Sequence, residues 1–495
     1  MPTMTYTSCD VRIGPAATIV GAPETATRIL TRASVLLLAS VVAAATVGSA
    51  QTVENGTIAT VASDTVPQRA PATFCCQKKQ FWVAAGELVA LEIIPNYFNR
   101  FVSDDTTAVL SWKSFSHNVR NGFEWDPNSL ATNMFAHPYH GNVYFNAGRA
   151  NGYNFWESQA WAFAGSFIWE MFGENNRGAI NDWVMTSMGG ITIGEALHRA
   201  AIMVRDNEAH GVSRAFSEFG GFLIDPVGGF SRAVRGEMSK YGPNPEDRFP
   251  NSYSSSIAVG FRAITEGRLK DAQKAHGYFE FHARYGDPMR EFARPFDSFE
   301  LILQLNAADA STIGLWQVHG TLFGSTVKRS DKAQHVITVD QLYDYANTNT
   351  YELGDMAYAV ALRSRWRLSD KFSLQTLVQP NLAVMSAVSS EYAGFTGRSY
   401  DFGPGLGLRA NAGLSGGDLR ASLGYRGLFT HTMNGAKGNQ VVHFVSADLA
   451  YRFWRSLGVT ANYRLHLRDS FFNDYPDVHR RAPEFRVGAQ FSFER

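Results

Sequence analysis

From about Ser252 to Arg495, apolar and polar residues alternate with the period of two that belongs to a β-strand. Between His276 and Tyr285, Phe279, Phe281, Ala283 and Tyr285 fall on one face, while Glu280, His282 and Arg284 fall on the other. The closing segment sets Phe485, Val487, Ala489, Phe491 and Phe493 against Glu484, Arg486, Gln490 and Ser492. The stretch from Leu457 to Arg468 and that from Met356 to Arg367 repeat the pattern. About twelve such segments follow one another, an even number within the range of bacterial outer-membrane barrels. Their expected starts lie near Ser252, His276, Asp297, Ser311, Gln334, Asp355, Lys371, Ser399, Asp418, Asn439, Leu457 and Pro483. Segments of roughly 10 to 16 residues suit a tilted strand crossing a bilayer.

A soluble β-sandwich also alternates, with its apolar face inward and its polar face in water. Two features favour the membrane. Aromatic residues gather near the segment ends on the apolar faces (Phe279, Tyr285, Phe299, Phe372, Tyr400, Phe402, Tyr425, Phe429, Tyr451, Phe453), as interfacial girdles do. The opposite faces carry several charges per strand, more than solubility requires. The fold expected is a transmembrane β-barrel of about twelve antiparallel strands over 251–495, preceded by an α-helical plug or periplasmic module over 81–250.

The period changes ahead of the barrel. Phe81 to Ile94 is apolar with a helical spacing around Glu87 and Glu92. Asn154-Phe155-Trp156-Glu157 has the form of a capping box, opening a helix to about Phe172 that is apolar nearly all round and therefore buried. Ser158, Ala162, Gly165, Ser166 and Trp169 lie on or near one stripe of it, where small residues permit close packing. Glu170 and Glu174 sit where carboxylates oppose the helix dipole, so another feature must offset them. A next helix is expected from Asn181-Asp182, broken at Gly189-Gly190 and resumed from Thr192 to Met203, where Glu195 and Arg199 stand i, i+4. Short helices follow at Ser213–Leu223 and Val227–Arg235.

Composition adds location. The 45 basic and 45 acidic residues cancel, so no global field favours nucleic acid. Arg28 and Arg32 precede the apolar run Ala33–Val47, which ends in Gly48-Ser49-Ala50, the layout of a secretory signal peptide over 1–50. An anchored N-terminal helix is the alternative, and the long extension before Arg28 suggests a start assigned too early. Residues 51–80 read as a mobile tail. Cys75 and Cys76 are adjacent, which excludes a long-range disulfide framework. An exported chain with many alternating strands and no second long apolar span belongs in the outer membrane, with membrane lipid and the barrel-assembly machinery as its partners.

The stretch from Ala136 to Arg199 carries His137-Pro138-Tyr139-His140-Gly141, Tyr144-Phe145-Asn146-Ala147-Gly148-Arg149, Ser166 to Glu174, Gly189-Gly190 and Gly194-Glu195-Ala196. Together they resemble a bacterial family catalogued as domain of unknown function 3943, over roughly residues 100 to 240. The resemblance implies an envelope protein with a following β-rich region, and it brings no catalytic residues with it. The last strand resembles the assembly signal of outer-membrane barrels, but ends Phe493-Glu494-Arg495 rather than on an aromatic residue.

Three constellations bear on chemistry. His137 and His140, with Asn146 and Arg149, offer a metal ligand pair, a general base or a hydrogen-bonded turn, and without a third ligand at defined spacing the turn is preferred. Glu170, Glu174, Asp182 and Glu195 offer a shared proton, a cation site, an acid–base pair or, as the preferred reading, ion pairing with arginines. The expected inward faces carry Arg262, Arg284, Arg363, Arg365, Arg367, Arg409, Arg420, Arg426, Arg452, Arg464, Arg468 and Arg486. Either water and anions fill such a lumen, or a plug carrying Glu170, Glu174 and Glu195 does. No Walker-type loop, dinucleotide fingerprint, HExxH or GxSxG is present, and no metal site or cofactor is expected. The leading reading is an outer-membrane barrel in envelope structure or small-solute passage. The alternatives are a lipid- or glycan-active envelope enzyme using His137 or His140 with Glu170 or Glu174, and a surface binding module using a loop at Phe471–Ala482.

Overall fold

Alternation over the second half of the chain produces twelve strands: β1 Tyr253–Ile264, β2 His276–Tyr285, β3 Phe299–Asn306, β4 Ile313–Arg329, β5 Ala333–Asn347, β6 Glu352–Arg367, β7 Phe372–Ser389, β8 Tyr400–Gly416, β9 Leu419–His431, β10 Gly438–Trp454, β11 Leu457–Phe472 and β12 Val478–Glu494. The computed structural model describes residues 78–269, 274–290, 292–307, 312–393 and 398–494. The signal peptide, most of the mobile tail and the three cysteines expected from the sequence lie outside the described residues.

Each strand pairs antiparallel with its neighbour in sequence, and β12 returns to β1 to close the barrel. At this seam Val259 faces Ala489 and Arg262 faces Arg486. Eleven of the twelve strands begin within three residues of the expected starts. The exception is β12, which begins at Val478 rather than Pro483. Proline reads as a strand start because it cannot donate to a ladder. Here Pro483 lies inside the strand opposite Leu465, and Arg480, Arg481 and Ala482 pair with β11 ahead of it. The loop expected at Phe471–Ala482 therefore shrinks to the turn 473–477.

The two faces of the wall differ as the alternation requires. Outward residues of β8–β12 and β1 are large, apolar and exposed, among them Phe261, Leu406, Leu423, Leu449, Val459 and Val487. A closed antiparallel barrel has no open edge, and an outer surface of this kind is stable against lipid rather than water.

The helical half contains α1 Phe81–Phe101, α2 Trp112–Asn121, α3 His137–Ala150, α4 Phe155–Ile168, α5 Ile180–Val204, α6 Gly211–Ile224 and α7 Pro226–Val234. Asn154 caps α4 by accepting from the Glu157 amide at 3.0 Å, and Glu157 accepts from the Asn154 amide at 3.1 Å. That helix stops at Ile168 and a π-turn, Trp169–Gly173, takes over. Gly189-Gly190 does not break the next helix: α5 runs through it for 25 residues. A Cβ on Gly190 would collide with the backbone of Gly141, and one on Gly141 with the Thr186 carbonyl. The glycines let α3 and α5 meet backbone to backbone, and that packing offsets a helix-propensity loss of about 1 kcal/mol per glycine.

None of the described helices enters the barrel. They lie on the outer wall, against the outward positions of β2 to β8, where the expectation was a plug. The Gln341 amide on β5 donates to the Met188 carbonyl of α5 at 3.3 Å, and the Tyr343 hydroxyl donates to the Met134 carbonyl. Phe135 meets Tyr345 with ring centroids 4.7 Å apart, Trp156 stacks on Phe323 at 5.2 Å, and Trp125 meets Phe402 at 5.5 Å. Phe281, Tyr285, Phe299, Tyr400 and Phe402, read from the sequence as girdle residues or apolar wall, are buried in one core with Met185, Ile193 and Leu197 of α5.

Candidate functional sites in the lumen and the helical domain

Inside the barrel, a cavity of about 200 Å³ is lined by Arg262, Arg409, Arg426, Arg464 and Arg486, with His319, His466, Glu300 and Glu484. All come from strands, and all occupy the polar half of the alternation. The arginines are held by carboxylates on the same wall. Glu484 on β12 lies 2.7 Å from Arg262, 2.8 Å from Arg486 and 3.0 Å from His466. Glu280 on β2 reaches both Arg464 and Arg486 at 3.1 Å. A second group is built on Asp344, which accepts from Arg409 and sits 3.0 Å from His319 and 3.5 Å from Arg426. Arg426 also binds Asp355 at 2.8 Å.

The other arginines singled out in the sequence lie off this cavity. Arg363 pairs with Asp340 at 2.8 Å, Arg365 with Asp287 at 3.0 Å, Arg284 with Glu300 at 2.8 Å and Arg452 with Asp418 at 3.0 Å. The sequence reading missed the carboxylates Glu280, Asp340, Asp344, Asp355 and Glu484 as the partners. They occupy the same face of their strands as the arginines, so the alternation carried the signal.

The helical half has its own buried polar group. α3 supplies His137, His140 and Tyr144; the π-turn supplies Glu170, and Glu174 follows it; α5 supplies Asp182, and α1 supplies Glu92. His137 Nε2 lies 3.4 Å from Asp182 Oδ2, and Asp126 brings a third ligand atom, all within 4.8 Å of one another. His140 Nε2 shares a hydrogen bond of 2.9 Å with the Tyr144 hydroxyl. Trp169 Nε1 donates to Glu174 at 3.1 Å, and the Ala179 amide donates to Glu170 at 2.8 Å. Among the described residues no lysine or arginine forms an ion pair with Glu92, Glu170, Glu174 or Asp182.

Burial without a cation disfavours the charged forms of these groups. It pushes Glu92 up to about 8 and Glu174 up to about 7. Glu170 is raised well above the usual carboxylate range by burial and then by Glu174, and Asp182 by burial and then by Asp126. Burial lowers His137 to about 3 and His140 to about 4. A protonated carboxyl does not oppose the helix dipole, and the upward shifts of Glu170 and Glu174 favour that form. Glu195 is different: it lies 2.8 Å from Arg149 and 2.9 Å from Arg199, and burial of the carboxylate is outweighed by these two cations. Arg199 in turn meets Asp297, in the turn before β3, at 3.0 Å. The contact between α5 and the barrel thus runs from a helical arginine to a barrel carboxylate, on the outer side of the wall, the reverse of the pairing expected of a plug, while Arg294 of the barrel half pairs with Asp247 ahead of β1 at 2.5 Å.

The model for the family described as Domain of unknown function (DUF3943) matches residues 122–227. These residues are a DUF3943 domain. The domain spans α3 to α6 and includes Asp126, His137, Glu170, Glu174 and Asp182, while Glu92 comes from outside it. No curated protein matches the chain. The barrel half is similar in outline to several solved outer-membrane proteins. The KdgM porin is 12% identical, with a TM-score of 0.23, over 48% of this chain and 99% of its own. The outer membrane channel DcaP of Acinetobacter baumannii is 9% identical, with a TM-score of 0.21, over 49% and 96%. The outer membrane phospholipase A from Escherichia coli is 10% identical, with a TM-score of 0.25, over 48% and 89%. Scores this low transfer no role to this chain. The twelve-stranded closed barrel and its apolar outer band stand on their own geometry, and they make this an outer-membrane β-barrel with a DUF3943 domain ahead of it.

Proposed function

We propose that the barrel passes small anionic solutes across the outer membrane through a narrow, arginine-lined lumen. The observation that carries this reading is the cavity of about 200 Å³, on which Arg262, Arg409, Arg426, Arg464 and Arg486 are set against only Glu300 and Glu484. Most of the compensating carboxylates, Glu280, Asp344 and Asp355, bind the arginines but do not line that space. A passage walled by guanidinium groups favours anions and resists cations. Fixed ion pairs across the lumen restrict its bore, so the solutes are small.

Planar-bilayer recording under a KCl gradient tests the proposal. The expected result is a small conductance with a reversal potential on the chloride side, moved toward zero by Arg409→Gln with Arg426→Gln. Absence of conductance in folded protein, or a cation preference, would refute it.

A further inference from the structure

The DUF3943 domain and its flanking helices are built inside out. On α6, Arg214 and Glu218 are 8% and 4% exposed, whereas Val212, Phe216 and Phe219 on the opposite side are 72%, 69% and 59% exposed. The other helices follow suit. The outer face of α1 presents Trp82, Val89, Ile93, Ile94 and Phe98; α4 presents Phe167, and α7 presents Phe230 and Val234. The interior holds what a water-soluble bundle puts outside: Asn142, Asn146, Asn151, Ser158, Ser166 and Asn181 are all buried. Glu87 of α1 is turned inward, where Asn151 donates to it at 2.6 Å and Ser231 at 2.5 Å. Small and polar residues between helices, with large apolar side chains outside, are the pattern of helices packed in lipid.

Place and charge agree with this. The helices rest on the outward positions of β2 to β8, the same side of the wall that presents bare apolar residues on β9 to β12 and β1. The apolar surface therefore continues around the molecule from strand to helix. Exposed charges occur instead on α2, in the connections and at the last turn of α1, at Lys113, Arg120, Glu124, Glu208, Lys240 and Arg100. The 21 residues of α1 make a rod of about 31 Å, close to the hydrocarbon thickness of about 30 Å. No described helix is long and apolar enough to cross a membrane by itself, and α1 is apolar on its outer face only.

We infer that the outer faces of α1, α4, α6 and α7 contact the acyl chains of the membrane, so that the DUF3943 domain sits in the bilayer as a helical flank of the barrel. An apolar face of this extent, continuous with a lipid-facing wall, calls for the same solvent as that wall.

Nitroxide accessibility in phospholipid vesicles tests the inference on the full-length chain. The native cysteines are replaced by serine, and single labels are introduced by Ile94→Cys, Phe219→Cys, Val487→Cys and Lys113→Cys. The ratio of collision with oxygen to collision with a water-soluble nickel chelate is expected to be as high at Ile94 and Phe219 as at Val487 on the barrel wall, and clearly higher than at Lys113. A ratio at Ile94 and Phe219 as low as at Lys113 would overturn it. Protection from both reagents with spin–spin broadening would also overturn it, by showing a second copy on this face. Should a labelled variant fail to show heat-modifiable migration on gels, wild-type protein and Trp82→Phe are compared in vesicles of bromine-labelled lipid. Quenching that is lost with Trp82 supports lipid contact, and equal quenching in the two proteins counts against it.

Discussion

Replacing Glu484 by glutamine is the sharpest probe of the lumen. Its carboxylate is fully buried and lies within 3.0 Å of Arg262, Arg486 and His466. Glutamine keeps the shape and removes the charge around which those groups are arranged. Breaking one side of a buried pair costs about 3–5 kcal/mol. Arg486 retains Glu280 at 3.1 Å, and energies within one network do not add, which places the expected loss at the lower end, about 3 kcal/mol. Glu494→Gln is the internal control. Its partner Arg420 is exposed, and exposed pairs contribute about 0–1 kcal/mol. Urea unfolding in phospholipid vesicles, followed by tryptophan fluorescence, reads both variants. The Glu484→Gln transition should move to markedly lower urea with an unchanged slope, and the Glu494→Gln transition should hardly move. The same variant makes the lumen more positive, so its bilayer reversal potential should shift further toward chloride. Equal urea midpoints for the two variants would refute the reasoning, whatever the conductance.

Strand facing gives a second test. Leu465 points outward between Arg464 and His466, so Leu465→Arg should lose about 2–4 kcal/mol if it lies near the bilayer midplane, whereas Thr460→Arg on the lumen side should fold almost normally in vesicles. The buried acids give a third. Glu92 and Glu174, raised from 4.5 to about 8 and about 7, keep a proton in the folded protein that the unfolded chain has released. Their stabilisation is complete below pH 4.5 and is lost as pH rises through 7 and 8. His137 and His140, lowered from 6.5, act oppositely: their contribution is complete above 6.5 and is lost as pH falls through 4 and 3. Above pH 6.5 the carboxyls alone remain, so melting temperature should fall from there to pH 8, by at most about 1.4 kcal/mol of stability per pH unit and proton. Glu92→Gln with Glu174→Gln should make that decline shallower, Glu170 and Asp182 carrying the remainder, and a wild-type profile already flat would exclude buried neutral acids.

The strands were legible because each obeys one rule along most of its length, interrupted only by local shifts such as Thr321/Phe323 in β4 and Ala383/Ser386 in β7. The alternation that runs from Phe279 to Tyr285 needs only a wall with unlike sides. It does not say what covers the apolar side. Phe281, Tyr285 and Phe299 meet helices, while Phe429 and Tyr451 are exposed, yet all look alike in sequence. This is why a domain on the outside was expected inside. Gly189-Gly190 misled for a related reason: locally two glycines weaken a helix, and only the approach of Gly141 from α3 explains their place. His137, His140, Glu170 and Glu174 were recognisable as a group through their chemistry and nearness. That Glu92, fully 78 residues before Glu170, joins them is a property of the packed domain.

The outward hydroxyl and amide groups of β5 and β8 bear on how this molecule is inherited. Gln341, Tyr343 and Tyr400 direct their donors away from the lumen, where each finds a carbonyl oxygen of the helical half, at Met188, Met134 and Asn128. Stripped of the helices, the same three groups would point into hydrocarbon, where a polar group without a partner costs several kcal/mol. The barrel is thus no self-sufficient cassette to be passed between genes with one N-terminal domain exchanged for another. A lineage that lost the DUF3943 domain would have to replace these three side chains before the remaining wall became an ordinary lipid-facing one.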